Sequence, residues 1–457
     1  MRPRICSTAI ALAVLAMLGS GPARADRVHG GKVALVNVRV VSMDPDARKK
    51  VQKRRTILVE DGRITEIGKA KKVEVPEGAA VINGRNKLYV LPGLADLHAH
   101  SRGIPELPEF AGPEDVYTFY LANGVTTLFD PAGFKQLFAW RRDVQRGRVV
   151  GPDMYFTTPI IDEEDYDSLA ELEVDLRRWA REGYAWVKTH DVETPAFFER
   201  LFAVSRELGL PVVGHALRPG YPIQDTLAQQ PLMIAHIEEI LSTSVTSPSQ
   251  FEDQLATPLR DVANSRVWVT GTVNTYEMIA NTRDDATFQE LLERPEVRYM
   301  PPSVLSVWQF QNRYRQPEFG GDRDFWLAQL DIKLYIARRL AELGALDRLL
   351  LGTDTGIEGI VPGFSVHDEL RLLVAAGLSP FEAIQTGTYN AAVFLDLLDE
   401  VGTVAEGKRA DLLVAKKNPL KKIGALSDPA GVMVNGLWLP EADLEARLEE
   451  LAVRWAE

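Results

Sequence analysis

The sequence is poor in cysteine and histidine, with one Cys and 7 His among 457 residues. A single cysteine excludes a disulfide scaffold. Basic residues are outnumbered too: 52 Lys and Arg stand against 64 Asp and Glu, and the resulting net charge of −12 argues against nucleic acid as a partner. The content of 46% hydrophobic and 25% charged residues is that of an ordinary globular protein and excludes a disordered chain.

Long apolar runs are also lacking, apart from a short run near the N-terminus. Residues Ala9–Leu18 carry no charge and follow two arginines, and an Ala-Arg-Ala sequence at 23–25 offers a cleavage site. This pattern predicts a signal peptide over 1–25, with a retained N-terminal membrane anchor as the alternative. Cleavage would remove three arginines, no carboxylate and Cys6, changing the charge from −12 to −15. We therefore expect an exported protein, periplasmic or secreted, with no membrane span after signal removal.

Both ends of the remaining chain have a sequence pattern typical of β-strands and turns. Short strand-like runs, separated by Asp-Gly and Asn-Gly turns, occupy residues 26–90 and return at 399–440. Two such segments, on either side of a middle segment with a different sequence pattern, predict a β-sandwich domain built from both chain ends. The amphipathic segment 441–457 predicts a C-terminal helix.

The middle of the chain, residues 91–398, alternates short apolar runs with helical stretches, which is typical of repeated βα units. Eight candidate strands predict an α/β fold, a (β/α)8 barrel of the TIM type. They are Leu94–His98, Thr126–Phe129, Met154–Thr158, Ala185–Lys188, Pro211–Gly214, Met233–His236, Val267–Thr270 and Leu349–Thr353. The gap before the last strand is too long for one helix, so 276–345 holds either an insertion over the barrel mouth or a pair of outer helices.

Five of the seven histidines fall at the predicted carboxyl ends of these strands, where barrel enzymes have their active sites. His98 and His100 are two residues apart, so both side chains point to the same side of one strand. Neutral imidazoles with a carboxylate suit Zn²⁺ or a neighbouring divalent ion. One histidine alone is more often structural, but histidines at the ends of several strands, with one carboxylate, predict a metal site. The polar residues at these strand ends are His98, His100, Lys188, His190, His215, His236 and Asp354.

Several of these residues lie in longer motifs that resemble the amidohydrolase superfamily. The motifs are LPGLADLHAH ending at His100, AWVKTH at Lys188, PVVGHA at His215, LMIAHIEE at His236 and LLGTDTG at Asp354. The run Ser365–Leu420 is also similar, in particular to the imidazolonepropionase-like and prolidase-like branch. The likeness extends over nearly the whole chain that would remain after cleavage, and it implies the barrel fold and a hydrolytic activity.

The resemblance also implies the cofactors, which are two divalent metal ions with Zn²⁺ favoured. The implied ligands are His98 and His100 for the more buried ion and His215 and His236 for the more exposed one. Lys188, carboxylated by CO₂, would bridge both ions; the alternative is an ordinary lysine in a one-metal enzyme. Asp354 would ligate the first ion and act as general base toward a metal-activated hydroxide.

Six further residues are candidates for substrate binding, and each has a structural alternative. His190, after the fourth strand, could instead cap a turn, and His367 could pack at the start of a helix. The others lie in loops after the fifth and seventh strands, where a solvated loop competes with binding of a substrate carboxylate or carbonyl. The six are His190, Arg218, Tyr221, Asn274, Tyr276 and His367. We interpret the acidic run 162–167 as a solvated loop.

Together these observations predict an exported, metal-dependent amidohydrolase that cleaves a C–N amide bond in a dipeptide or an N-acyl amino acid. The partner is then a small-molecule amide or peptide substrate, and a homo-oligomer is compatible with the sequence. One alternative is a lactone, ester or cyclic amide hydrolase that uses the same site. An alternative of another class is a non-catalytic binding protein on a decayed barrel, which the intact set of ligand residues disfavours.

Overall fold

The structure, a computed structural model, describes residues 31–101, 113–241 and 251–456. The predicted signal peptide over 1–25 and His29 lie outside the described residues, so export stays a prediction. Within the described ranges, no helix is both long enough and apolar enough to cross a membrane.

The strands fall into three groups along the chain. The N-terminal group is β1 (Lys32–Val40), β2 (Gln52–Glu60), β3 (Arg63–Lys69), β4 (Ala80–Asn83) and β5 (Tyr89–Pro92). The middle group is β6 (Leu94–Asp96), β7 (Val125–Asp130), β8 (Asp153–Phe156), β9 (Ile160–Ile161), β10 (Val187–Thr189), β11 (Val212–Gly214), β12 (Met233–Ile234), β13 (Trp268–Thr270) and β14 (Leu349–Leu350). The C-terminal group is β15 (Leu412–Ala415), β16 (Pro429–Val434) and β17 (Leu437–Pro440).

Most helices lie between the middle strands, three follow β14, and one more ends the described chain. They are α1 (Pro113–Ala122), α2 (Gln136–Gln145), α3 (Leu169–Glu182), α4 (Pro195–Leu208), α5 (Ile223–Ala228), α6 (Phe251–Asn264), α7 (Asn274–Thr282), α8 (Asp285–Leu292), α9 (Pro302–Phe310), α10 (Arg323–Leu340), α11 (Ser365–Ala376), α12 (Pro380–Thr386), α13 (Tyr389–Phe394) and α14 (Glu441–Ala456). Ser168, Thr194 and Ser379 cap α3, α4 and α12 by accepting a backbone N–H from the first turn.

Strands from both chain ends form one eight-stranded sheet, in the order β17-β16-β15-β5-β1-β2-β3, with β4 paired to β1. The ends join where β15 runs antiparallel to β5, with Leu413 opposite Leu91. Side chains alternate between the two faces of β15. Leu412 therefore packs against other residues of this sheet, while Leu413 packs into the main hydrophobic core. The predicted β-sandwich is not confirmed, because the described strands of both ends lie in a single sheet rather than in two facing sheets.

The middle strands form two parallel sheets, β6-β7-β8 and β14-β13-β12-β11-β10-β9. Each of the eight predicted strands coincides with an observed one. Backbone hydrogen bonds connect the sheets at both sides, from Leu97 N to Leu351 O and from Thr158 N to Trp186 O, each at 2.8 Å. The fold is therefore TIM-barrel-like, but the described residues do not form a closed barrel, because these isolated bonds replace continuous ladders at the two junctions.

The long interval between β13 and β14 contains α7, α8, α9 and α10. α10 packs against α6, α7 and α11 and so belongs to the outer helix layer. α9 buries Trp308 in a cluster with Met278 of α7 and Leu291 of α8. Tyr276 of α7 and four residues of α10 line a cavity, namely Phe325, Trp326, Gln329 and Lys333. The segment thus combines outer helices with one wall of that cavity.

Candidate functional site

The carboxyl ends of several middle strands bring histidines together in one buried cluster. The centroid of the His98 ring lies 4.4 Å from that of His236 and 5.3 Å from that of His100. The His215 ring lies 4.8 Å from that of His236. His98 is only 1% exposed, and both of its ring nitrogens are buried without a hydrogen-bond partner among the described residues. Because buried polar atoms are normally satisfied, these nitrogens are suited to a cation.

Asp354 supplies the carboxylate of this cluster. Its Oδ1 lies 3.0 Å from Nε2 of His100 and 3.4 Å from Nε2 of His98. Its backbone adopts the left-handed region, with φ of 56°, and its N–H donates to the carbonyl of His98 at 2.7 Å. This conformation is costly for a residue other than glycine, and such residues concentrate at functional sites. His98, His100 and Asp354 offer ligand atoms that all lie within 4.8 Å of one another.

Burial and mutual interaction set the protonation states of the cluster. Burial, with the neighbouring His236 and Lys188, holds the pKa of His98 well below its usual range. Burial likewise lowers the pKa of His236 to about 3. Burial alone would raise the pKa of Asp354, but His236, His100 and His98 together hold it well below its usual range. Neutral imidazoles and an ionised carboxylate are the forms that bind a metal ion.

Lys188, at the centre of β10, is 1% exposed. Burial lowers the pKa of its ammonium group to about 8, although the charges of Asp354 and Glu239 oppose this shift. A larger fraction of Lys188 is therefore in the neutral amine form than of a solvated lysine. Only the neutral amine can react with CO₂ or approach a cation.

A second group lies beside the first. His190, Asp191 and His215 offer ligand atoms within 4.8 Å of one another, and the His190 and His215 ring centroids are 4.4 Å apart. Nδ1 of His190 lies 2.7 Å from Oδ1 of Asp162. The acidic run 162–167 was expected to be a solvated loop, but its first residue therefore contacts the site.

His236 lies between the two groups, beside one ring of each. Its Nδ1 is hydrogen-bonded to the Thr272 hydroxyl at 2.9 Å, so the ring packs between His98 and His215. In the described chain, His215 is grouped with His190 and Asp191 rather than with His236 alone. The sequence could not show this, because the ring orientation depends on a hydroxyl that follows another strand.

Two buried aspartates that sequence reasoning missed hold the cluster in place. Asp96 accepts hydrogen bonds from His98 N at 3.2 Å, Thr353 N at 3.1 Å and Thr353 Oγ1 at 2.5 Å, which ties the end of β6 to the segment after β14. Asp130 accepts from Ser101 N at 2.9 Å and lies 4.0 Å from Nδ1 of His100. Asp130 directly follows the predicted strand Thr126–Phe129, so the strand-end rule could have found it.

A cavity of about 300 Å³ adjoins the cluster. Three of the predicted substrate residues line it, namely Arg218, Tyr221 and Tyr276. Glu238 and Glu239, directly after the His236 segment, line it as well. Oε1 of Glu239 lies 3.4 Å from Nδ1 of His215, so the cavity and the histidines share a wall.

The other three candidates do not line the cavity: His190 lies in the second group, and Asn274 and His367 lie elsewhere. Asn274 is fully buried behind the site, where its side chain donates to the carbonyl of Thr353 at 3.1 Å and its backbone N–H donates to Glu369 at 2.8 Å. His367 lies on α11, and no contact between it and the histidine cluster is found in the described residues. Asn274 therefore supports the segment before Asp354.

Residues 89–439 match a model of the amidohydrolase family. A curated relative, the 5'-deoxyadenosine deaminase of Methanosarcina acetivorans, is 39% identical over 69 residues, which are 15% of this chain and 15% of that protein. The chain thus spans only a small part of that relative, and the same holds for a deaminase of Methanosarcina mazei, with 38% identity over 69 residues and 15% of each chain.

Solved structures resemble nearly the whole chain. A proposed prolidase from Bifidobacterium longum has a TM-score of 0.65 at 22% identity, covering 92% of this chain and 99% of that one. A Xaa-Pro dipeptidase with bound methionine has a TM-score of 0.67 at 17% identity, covering 90% and 100%. A bottromycin amidohydrolase has a TM-score of 0.70 at 24% identity, covering 92% and 90%. At these identities the likeness shows the fold.

Proposed function

Because the chain belongs to the amidohydrolase family, we propose that it is a metal-dependent hydrolase that cleaves a C–N amide bond in a dipeptide or an N-acyl amino acid. The observation that carries the proposal is the buried cluster of His98, His100 and Asp354, whose ligand atoms face one another. Several similar structures bear prolidase or dipeptidase names, which favours an amide over a lactone or ester.

The donor set fits divalent metal ions, since His98 has two buried nitrogens without a hydrogen-bond partner in the described chain and the imidazoles of His98 and His236 are neutral. His98, His100 and Asp354 would hold one ion. The groups that would hold a second are His215, His236, His190, Asp191 and a carboxylated Lys188. Such ions, most suitably Zn²⁺, supply polarisation of the substrate carbonyl and a lowered pKa for an attacking water molecule.

Asp354 is the residue of this chain that would accept the proton of that water. Its carboxylate is ionised because three histidines hold its pKa well below the usual range. Two of them fix its orientation, at 3.0 Å for His100 and 3.4 Å for His98. Oδ2 has only a distant histidine contact, to Nδ1 of His236 at 4.0 Å, so one oxygen is available for the proton.

The test is a substrate panel offered to the metal-loaded protein, with Asp354→Asn as the matched control. We expect amine release from dipeptides or N-acyl amino acids, and its loss in the control. Hydrolysis confined to lactones or esters, or ammonia released from 5'-deoxyadenosine alone, would identify another reaction at the same site. A metal-loaded protein that turns over none of these compounds would point to a binding protein.

We also propose that the protein is exported, on the basis of the apolar run Ala9–Leu18 and the Ala-Arg-Ala sequence at 23–25. N-terminal sequencing of protein recovered from cells that express the whole chain should begin at Asp26. A chain that keeps Met1 in the membrane fraction would support a retained anchor instead.

A further inference from the structure

The cavity beside the cluster has an aromatic wall. Tyr276 of α7 faces Trp326 of α10, with ring centroids 6.0 Å apart, and Tyr221 and Phe325 extend the lining. A volume of about 300 Å³ lies at the lower end of the range for ligand sites and suits one amino-acid residue. The cavity thus offers an apolar surface next to the proposed catalytic cluster.

Four charged side chains line this cavity, and two of them, Arg218 and Glu239, form an ion pair with each other. Nη1 of Arg218 lies 2.9 Å from Oε1 of Glu239, and its Nη2 lies 2.6 Å from Oδ1 of Asp191. Arg218 therefore holds Glu239 in place, and its charge is compensated within the chain. The two that remain are Lys333 and Glu238.

Lys333 is a buried cation that feels the charge of Glu238 across the cavity but forms no direct ion pair with a carboxylate of the described residues. It is 4% exposed, its Nζ donates to Oε1 of Gln329 at 2.9 Å, and Nζ lies 4.3 Å from the centroid of the Tyr276 ring. Both of these partners are neutral. Across the described ranges, no carboxylate oxygen forms an ion pair with Lys333. An ammonium has three N–H donors, and a buried charge is stabilised most by a hydrogen-bonded partner, so the donors of Lys333 that face the cavity are suited to an incoming carboxylate.

Glu238 faces the same cavity with an unused acceptor. Its Oε2 is buried and has no hydrogen-bond partner in the part of the chain that the structure describes. Glu238 follows His236 by two residues in the sequence, and Glu239, beside it, contacts His215 of the cluster. A ligand N–H group would satisfy Oε2 of Glu238.

We propose that Lys333 binds the free carboxylate, and Glu238 the amide N–H, of the C-terminal residue of the substrate. The two groups sit on one carbon atom in a dipeptide or an N-acyl amino acid, and the acyl carbonyl on that nitrogen would point toward the histidines. The aromatic wall receives the side chain of the same residue. This inference rests on the proposed function and adds to it a preference for a free carboxylate and a secondary amide.

The test measures binding by calorimetry to metal-loaded Asp354→Asn protein, which should hydrolyse the ligands too slowly to disturb the titration, with three ligands that differ in one group each. N-acetylphenylalanine carries both groups, its carboxamide lacks the carboxylate, and its N-methyl derivative lacks the N–H. We expect the first to bind at least about tenfold more tightly than either of the others, as one hydrogen bond to a charged group predicts. Equal affinity within either pair overturns the proposal.

Variants identify the residues responsible. Lys333→Met should abolish the difference between acid and carboxamide, and Glu238→Met should abolish the difference between the N–H and N-methyl ligands. The double variant keeps the cavity neutral if a single one fails to fold, and it should lose both preferences. Arg339→Met is the control, because Arg339 lies exposed on the same helix and pairs with Glu342. A preference for the acid that persists in folded Lys333→Met, as binding to a metal ion would cause, overturns the proposal.

Hydrolysis of the three ligands separates this inference from the proposed function. Binding with both preferences but no hydrolysis of any amide contradicts the proposed function and leaves the assignment of the cavity standing. Hydrolysis that proceeds equally on free acid and carboxamide supports the proposed function and contradicts the assignment.

Discussion

Replacing Glu369 by glutamine is expected to stabilise the protein increasingly as the pH rises from 5 to 8. Glu369 is fully buried on α11; one carboxyl oxygen accepts the backbone N–H of Asn274 at 2.8 Å, and the other has no partner among the described residues. Burial is the main reason why its pKa is raised from 4.5 to about 8, and the charges of Asp96 and Glu238 add to the shift. Glutamine keeps the shape and the acceptor but cannot ionise.

The sign follows from proton binding in the two states. Between pH 4.5 and about 8 the folded protein keeps a proton on Glu369 that the unfolded chain has lost, so the free energy of unfolding falls as pH rises. The slope approaches about 1.4 kcal/mol per pH unit for one proton. Over three pH units the wild type should therefore lose up to about 4 kcal/mol relative to the glutamine variant. Below pH 4.5 both carry a neutral side chain, so their difference should be small.

Urea unfolding of both proteins at pH 5, 6, 7 and 8 measures this difference directly. Glu290→Gln, at an exposed position on α8, is the matched control and should follow the wild type at every pH. A stability difference between Glu369→Gln and wild type that stays constant over this range, or that shrinks with rising pH, would refute the reasoning.

Variants at three further positions test the cluster. Asp354→Asn should retain metal while turnover falls by about 10² to 10⁴, the usual contribution of a general base, as steady-state kinetics would show; unchanged turnover would exclude Asp354 as the base. Lys188→Ala should lose metal and activity together if the carboxylated lysine bridges two ions, and metal analysis that finds both retained would remove that role. Asp96→Ala should lower the free energy of unfolding by about 2 to 4 kcal/mol, because three hydrogen bonds lose their acceptor. Asp96→Asn keeps an oxygen for both backbone N–H groups and should lose much less in the same urea titration, so equal losses would contradict this account.

The periodicity of the sequence was sufficient to predict the middle of the fold. Short apolar runs identify strands because a parallel strand covered on both faces is apolar throughout, and β10 and β11 are buried at every residue. The arrangement of the sheet formed by both chain ends could not be predicted from the sequence. The pairing of β15 with β5 joins residues more than three hundred positions apart, and local turn signals cannot show whether two sets of strands form one sheet or two.

Much of the candidate site could be predicted because strand ends converge at one edge of the fold. That rule located His98, His100, His215, His236 and Asp354, all of which the structure brings together. Ring orientation and grouping could not be predicted, since they depend on partners from other strands.

Lys333 is the clearest case of a residue that the sequence could not identify. It lies in the middle of a helix, where a lysine is usually solvated, and only the packing of α10 against α7 buries it beside Tyr276. Glu238 was visible in the LMIAHIEE motif, but its unpartnered oxygen is a property of the folded structure.

The metal content of the purified protein tests the central claim most directly. Inductively coupled plasma mass spectrometry of the folded wild type should find two divalent ions per chain, and His98→Ala should lower that number. Removal of the ions with a chelator should abolish amide hydrolysis, and adding Zn²⁺ back should restore it. A folded, active protein that contains less than one metal ion per chain would contradict the account.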